Sequence, residues 1–180
     1  MFAPSDERLI KQALINNKKA WLQLISRYER LVYNYALRMV GNREDALDLM
    51  QDVFLSVFRN LASWRGESSF KNWLMSIAHY RCIEHYRRRK LTRDDTEIAD
   101  QASEDDWHNP EQVYAGQQRG QQLFRAMQKL PLDQRLVIEL KFFQHLQLAD
   151  IAQQLEIPLS TVKSRLYSAV SKLQEWVEVV

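Results

Sequence analysis

Apolar residues along this chain fall three and four apart, the period of helices that bury one face. Trp21, Leu24, Ile25, Tyr28, Leu31, Val32, Tyr35, Ala36 and Met39 keep that period from about Lys18 to Val40. Gly41 supplies a C-terminal stop, and Asn42 can cap the next helix. Ahead of this helix, Ser5 with Asp6 and Glu7 reads as another helix start, acids favouring the positive end of the dipole. Ala46, Leu49, Met50, Val53, Phe54, Val57 and Leu61 form a broad buried face over Glu44–Leu61. Phe70, Trp73, Leu74, Ile77 and Ala78 do the same at the start of a helix running to about Lys90, after a loop at Trp64–Ser69. Leu123, Phe124, Met127 and Leu130, then Leu132, Leu136, Leu140 and Phe143, supply further helices.

Two short periodic stretches meet near the C-terminus. Leu148, Ile151, Ala152 and Leu155 form one, and Val162, Leu166, Ala169 and Leu173 the other. Glu156-Ile157-Pro158 separates them, and Ser160 is the expected cap of the second. This is the pattern of a helix-turn-helix. Opposite the apolar stripe of the second helix stand Ser160, Ser164, Tyr167, Ser168 and Ser171, flanked by Lys163 and Arg165. Short hydroxyl side chains let a helix lie deep in a major groove, while basic ones at its shoulders reach phosphates or guanine edges. An ordinary helical hairpin with a solvated serine face has the same spacing.

The polar positions add two more surfaces. On the helix over Glu44–Leu61, Asp48, Asp52, Leu55 and Arg59 fall in one line with Gln51 beside it. A few acids on a solvated face are commonplace, but a leucine among them points to a partner. At the end of the following helix Arg81, Arg87, Arg88, Arg89 and Lys90 cluster with Tyr80 and Tyr86. Cations that follow phosphates, interleaved with rings that stack on bases, suit single-stranded DNA. A basic helix end satisfying its own dipole is the plainer account.

Composition narrows the class. With 46% apolar residues the chain has material for a core, and four glycines and four prolines in 180 residues favour an all-α protein. The net charge of +2 is weak evidence for a nucleic-acid partner. Its distribution says more: Asp94, Asp95, Glu97, Asp100, Glu104, Asp105 and Asp106 come without an intervening lysine or arginine. That run reads as an acidic linker, with helix restarting at Asn109-Pro110-Glu111. One cysteine, Cys82, excludes an internal disulfide and suits a reducing cytoplasm. The N-terminus lacks an apolar signal core and no 18 apolar residues run together, so a soluble, non-exported protein without direct membrane insertion is expected.

His79, Cys82 and His85 are spaced three apart and invite a zinc assignment. Three ligands from one helix, each turned about 60° from the last, make poor geometry for a closed site. A redox role for Cys82 would rest on one nearby arginine. With no phosphate loop or nucleophile elbow either, no catalytic residue, metal or cofactor is expected.

These residues also carry a family resemblance over nearly the whole chain. DIAQQLEIPLSTVKSRLYSAV, preceded by LPLDQRLVIELKFF, resembles the promoter-reading end of bacterial sigma factors of the extracytoplasmic-function group, in the sigma-70 family. EDALDLMQDVFLSVF is similar to the segment with which these factors grip the coiled coil of the largest polymerase subunit. WRGESSFKNWLMSIAHYRCIEHYRRRK resembles the part that opens and reads the minus-ten element, where relatives hold a flipped base in the loop.

The resemblance implies a fold of two helical domains joined by a flexible acidic linker. Residues 1–92 would be a region 2-like domain, 93–109 the linker, and 110–180 a region 4-like domain with the helix-turn-helix. It implies Asp48, Gln51 and Asp52 as the contact with core polymerase, to which the leucine in their line, Leu55, is added. Asn60, Trp64, Tyr80, Arg81, Glu84, Arg87 and Arg88 would serve minus-ten DNA, duplex or melted. Ser160, Thr161, Lys163, Ser164, Arg165, Tyr167 and Ser168 would serve minus-thirty-five DNA. An anti-sigma protein, free or membrane-anchored, is a further implied partner. The chain departs from relatives at Glu156, where a turn glycine is usual, at Tyr80 and Glu84, and at Ser168, Val170 and Ser171. Two other readings stand beside this one: a self-sufficient helix-turn-helix regulator of duplex DNA, and a helical adaptor that binds proteins alone.

Overall fold

The computed structural model describes residues 4–92 and 116–178, all helix, turn or loop. The acidic run and the expected restart at Asn109 lie outside the described residues. The chain divides into two compact units, one from Met1–Leu37 with Arg43–Ile98, the other from Arg38–Asn42 with Ala99–Val180. No helix among the described residues is long and apolar enough to cross a membrane.

In the first unit, Ser5 caps α1 (Asp6–Leu14) as expected, accepting from the Arg8 amide at 3.3 Å. Asn16 turns the chain in the left-handed region, at φ 62°, and Asn17 Oδ1 accepts from the Ala20 amide at 3.2 Å to open α2 (Lys18–Val40). Asp6 then clasps α1 to α2 by accepting from both Arg27 and Tyr28. Burial first, and the bond to Asp6 second, push the Tyr28 phenol well above its ordinary range. Gly41, at φ +84°, ends α2 at the residue expected to do so.

Helix α3 (Arg43–Asn60) runs into a 3₁₀ turn (Leu61–Ser63), and α4 (Phe70–Thr92) follows the loop. Ala46, Leu49, Val53 and Val57 of α3 are buried, as are Phe70, Leu74, Met75, Ala78 and Cys82 of α4. Each large apolar side chain removed from water is worth about 1.5–3 kcal/mol relative to leaving it exposed. Met50 and Phe54, expected inside, are half-buried at the edge of the stripe. His79 belongs to this core: its Nδ1 lies 2.8 Å from the Tyr35 hydroxyl, with the rings edge to face.

The second unit holds α5 (Gly116–Lys129), α6 (Leu132–Ile138) with a π-helical continuation (Glu139–Phe143), α7 (Leu148–Leu155) and α8 (Leu159–Glu178). Met127, Leu140, Ile151, Val162, Leu166, Ala169 and Leu173 fill its core. The Arg135 guanidinium stitches the α5–α6 corner, donating to the Gln128 carbonyl at 2.7 Å and the Leu130 carbonyl at 3.0 Å.

Between α7 and α8, Glu156 takes up φ 54°, ψ 41°. Its amide donates to the Gln153 carbonyl at 3.3 Å, and that of Ile157 to Ala152 at 3.1 Å, the paired bonds of a Schellman cap. A residue with a Cβ pays about 1 kcal/mol for that conformation. The expected cap at Ser160 is corrected by the structure. Helix α8 begins at Leu159, and the Pro158 carbonyl accepts from Thr161 and Val162 at 2.9 and 3.1 Å. Proline at a helix start has its φ already set and lacks an amide that would have gone unbonded there. Ser160 is therefore inside the first turn, with its side chain exposed.

Candidate nucleic-acid and protein interfaces

Helix α3 exposes Asp48, Gln51, Asp52 and Leu55 along one face, with Arg59 on the same line. Leu55 is 52% exposed, and Phe58, absent from the residues assigned on sequence, is 58% exposed. The Phe58 ring meets the edge of Trp21 at 5.3 Å between centroids. Its signal in the sequence is an aromatic three residues past Leu55 and outside the buried stripe. The line thus couples acids to an apolar end.

Polar contacts bind this helix to α4, and one of them, between Arg88 and Asp52, joins residues that the family resemblance assigns to different partners. Arg89 pairs with Asp45. Arg88 lies 4.0 Å from Asp52 and 3.6 Å from Glu84. Arg81 Nε donates to Ser56 Oγ at 2.6 Å, and its guanidinium stands 5.7 Å from the centre of the Tyr80 ring. Glu84 also accepts from Arg87 at 2.6 Å, so its carboxylate sits between two arginines. Tyr80 projects with 60% of its surface exposed. His85 lies at the same seam, its Nε2 buried without a hydrogen-bond partner among the described residues. Burial lowers its pKa; Asp45, Asp48 and Asp52 pull the other way while Arg89 adds to the lowering.

The loop before α4 is closed by Trp64, whose Nε1 donates to the Ser68 carbonyl at 3.2 Å, with Gly66 at φ +77°. Ser63, Trp64, Arg65, Glu67, Ser68 and Trp73 line an open hollow of about 310 Å³. Asn60 sits at the end of α3 and donates to the Ser56 carbonyl at 2.8 Å. Trp64, assigned to minus-ten DNA, is thus at the hollow, while Asn60, Tyr80, Arg81, Glu84, Arg87 and Arg88 lie on or beside the α3–α4 seam.

On α8, Ser160, Lys163, Ser164, Tyr167 and Ser171 are exposed, Tyr167 by 68%, and Thr161 is half-buried. Ser164 Oγ donates back to the Thr161 carbonyl at 3.0 Å. Two of the assigned residues are instead drawn toward α6. Arg165 Nε lies 3.0 Å from Asp133, and Ser168 Oγ accepts from Gln134 at 3.2 Å. Gln134 also accepts from Lys172 at 3.2 Å. The hydroxyl face is left with Lys163 as its exposed cation, and Leu159, at 41% exposure, stands at its leading edge. Among the described residues no group of three His, Cys, Asp or Glu is arranged to hold a metal ion.

Residues 24–92 match the family model described as Sigma-70 region 2, and residues 120–173 match that for Sigma-70, region 4. The chain is 33% identical over 154 residues to the RNA polymerase sigma factor YlaC of Bacillus subtilis, covering 84% of this chain and 88% of that one. It is 28% identical over 183 residues to the ECF RNA polymerase sigma-E factor of Haemophilus influenzae, covering 97% and 96%. Among solved structures it is similar to the sigma factor RpoE of Bartonella quintana, determined in complex with the anti-sigma factor NepR. The TM-score is 0.65 at 22% identity, covering 89% of this chain and 98% of that one.

Proposed function

From the premise that this chain belongs to the extracytoplasmic-function group of sigma-70 factors, and is a promoter-specific transcription initiation factor acting with RNA polymerase, we propose how its surfaces divide the work. Asp48, Gln51, Asp52 and Leu55 of α3, extended by Phe58, dock on the polymerase. Trp64, Tyr80, Arg81, Arg87 and Arg88 act on the separated minus-ten strands, with Asn60 and Glu84 holding their surroundings. The exposed face of α8, from Ser160 through Thr161, Lys163 and Ser164 to Tyr167, enters the major groove at the minus-thirty-five element, with Arg165 and Ser168 at its α6 side. The domains are 1–92 and 110–180, with 93–109 the linker between them.

The observation that carries this reading is the α3–α4 seam. An acidic and apolar line there backs directly onto a basic and aromatic one. A self-sufficient duplex regulator needs neither, and an adaptor that binds proteins alone leaves the hydroxyl face of α8 without a use. We extend the proposal to an anti-sigma partner, since the similar Bartonella quintana factor was solved bound to one, and to a cytoplasmic location, where the polymerase is.

Each unit offers a small patch, and the core enzyme is the larger body that would present both patches to one promoter. Specific DNA binding should therefore require the core enzyme. The test is footprinting on a promoter recovered from a random duplex pool by the assembled enzyme, using protein alone, core alone and both. Protection upstream and strand opening downstream are expected only in the mixture, and Lys163→Ala and Ser164→Ala should lose the upstream part. A specific footprint from the isolated chain, at about 10⁻⁸ M or tighter, would hand the case to the self-sufficient regulator.

A further inference from the structure

Ser56 lies on α3, yet it is the buried polar group of the seam. Only 3% of its surface is exposed, in a stripe otherwise made of Ala46, Leu49, Val53 and Val57. A lone hydroxyl inside such a stripe is unfavourable unless it is bonded. Here it is bonded twice: Ser56 Oγ donates to the Asp52 carbonyl at 2.9 Å and accepts from Arg81 Nε at 2.6 Å. The first bond fixes where the oxygen's lone pairs point. The second takes up the Nε–H of the guanidinium and leaves the four terminal N–H groups for other acceptors. Asn60 Nδ2 donates to the Ser56 backbone carbonyl on the same turn of α3. Arg81 is thereby held near the exposed Tyr80 ring, across which a stacked base and its phosphate would lie.

We propose that Ser56 is a positioning residue for single-strand binding: it holds Arg81 by Nε so that the terminal nitrogens meet a phosphate beside the base stacked on Tyr80. The inference rests on the reading of α4 as the strand-binding helix and goes beyond it, because Ser56 touches no DNA and sits on the helix assigned to the polymerase. A flexible arginine must lose rotamer freedom on binding, and one already held by Ser56 loses less.

The full chain assembled with core RNA polymerase is titrated into fluorescein-labelled oligothymidylate over a range of salt, with core alone subtracted. Core affinity and thermal melting are measured alongside. Ser56→Ala should weaken strand binding about three- to tenfold and flatten the salt dependence by roughly 0.7, the slope of one phosphate contact on a single strand. Arg81→Lys, which keeps the charge and loses Nε, should do the same, whereas Ser56→Thr should restore binding. In an Arg81→Ala background Ser56→Ala should cost nothing further. The double variant also covers the case in which the threonine methyl is not accommodated. Wild-type binding by Ser56→Ala, or the same loss with Arg81 already removed, overturns the proposal. If Arg81→Ala, Arg87→Ala and Arg88→Ala all bind as wild type, the reading of α4 falls and the proposal with it. If only Arg81→Ala does, the reading of α4 stands and the role of Ser56 is wrong.

Discussion

In the first unit the candidate side chains are held by one another; in the second they are aimed by the backbone. Arg81, Arg88 and Arg89 leave α4 already engaged with Ser56, Asp52 and Asp45 of α3. The face of α8 has few such restraints. Its direction is set by a short turn in which Glu156 accepts a left-handed conformation and the Pro158 carbonyl opens the helix. Where α8 does make ties between side chains, to Asp133 and Gln134, they draw Arg165 and Ser168 toward α6 and leave serines and Tyr167 outward. A surface that must grip unpaired, variable strands gains from arginines with fixed positions. One that enters a regular groove gains from a rigid helix carrying short side chains.

The largest effects should break the first half of this comparison. Tyr80→Ala removes an exposed ring, and Trp64→Ala opens the loop around the hollow. A stacked base is worth about 1–3 kcal/mol, so opening of a duplex promoter should fall by up to roughly a hundredfold, with far less loss on a pre-melted template. Equal loss on both templates, in protein whose melting is unchanged, would remove the strand-opening role. Next in size, Asp52→Lys should weaken core binding by about 1–2 kcal/mol with helicity unchanged, measured by fluorescence titration. Asp48→Lys should match it on core binding but leave strand binding alone, because Asp52 stands near Arg88 and Asp48 forms no such pair among the described residues. Identical behaviour of the two variants would mean that the seam does not connect the two surfaces.

The second half is tested by Glu156→Gly. Relief of the left-handed turn should stabilise the second unit by about 1 kcal/mol, raising its melting temperature by roughly 4–8 °C with DNA preference unaltered. Asp133→Ala, by freeing Arg165, should steepen the salt dependence of duplex binding by about 0.9, one extra phosphate contact. An unchanged slope would mean that Arg165 does not reach the backbone even when released. Smallest is a pH effect at the seam. Burial lowers the pKa of His85 in the fold, so the unfolded chain binds the proton more readily. Stability from this residue is complete above the ordinary histidine pKa of about 6.5 and declines as pH falls below it. His85→Gln should flatten that part of the melting curve against pH.

Elements whose signal is local were legible in the sequence. The period of α2, the Ser5 cap, the Gly41 stop and the two stretches flanking Glu156 each depend on residues within a turn of one another. So does the outward direction of Asp48, Asp52 and Leu55, and of Ser160, Ser164 and Tyr167. What escaped depends on distance along the chain. The partners of Arg81 and Arg89 lie 25 and 44 residues away, and that of Arg165 lies on α6. Ser56 gave no sign, because a small polar residue inside an apolar stripe gains meaning only from the arginine opposite. The misplaced cap at Ser160 is a local failure of another kind. Serine is the stronger general cap, but Pro158 had already set the helical direction two residues earlier.

The burial of Cys82 has a practical consequence. It is the chain's single cysteine, fully enclosed in the core of the first unit. A thiol reagent can modify it only when that core opens, so at high reagent concentration the labelling rate is the opening rate itself, and at low concentration it follows the opening equilibrium. The second unit contributes no thiol to the signal. One unmodified chain therefore carries a chemical clock for half of itself. Whether docking on polymerase tightens the α3–α4 seam can be read as a change in how fast that clock runs.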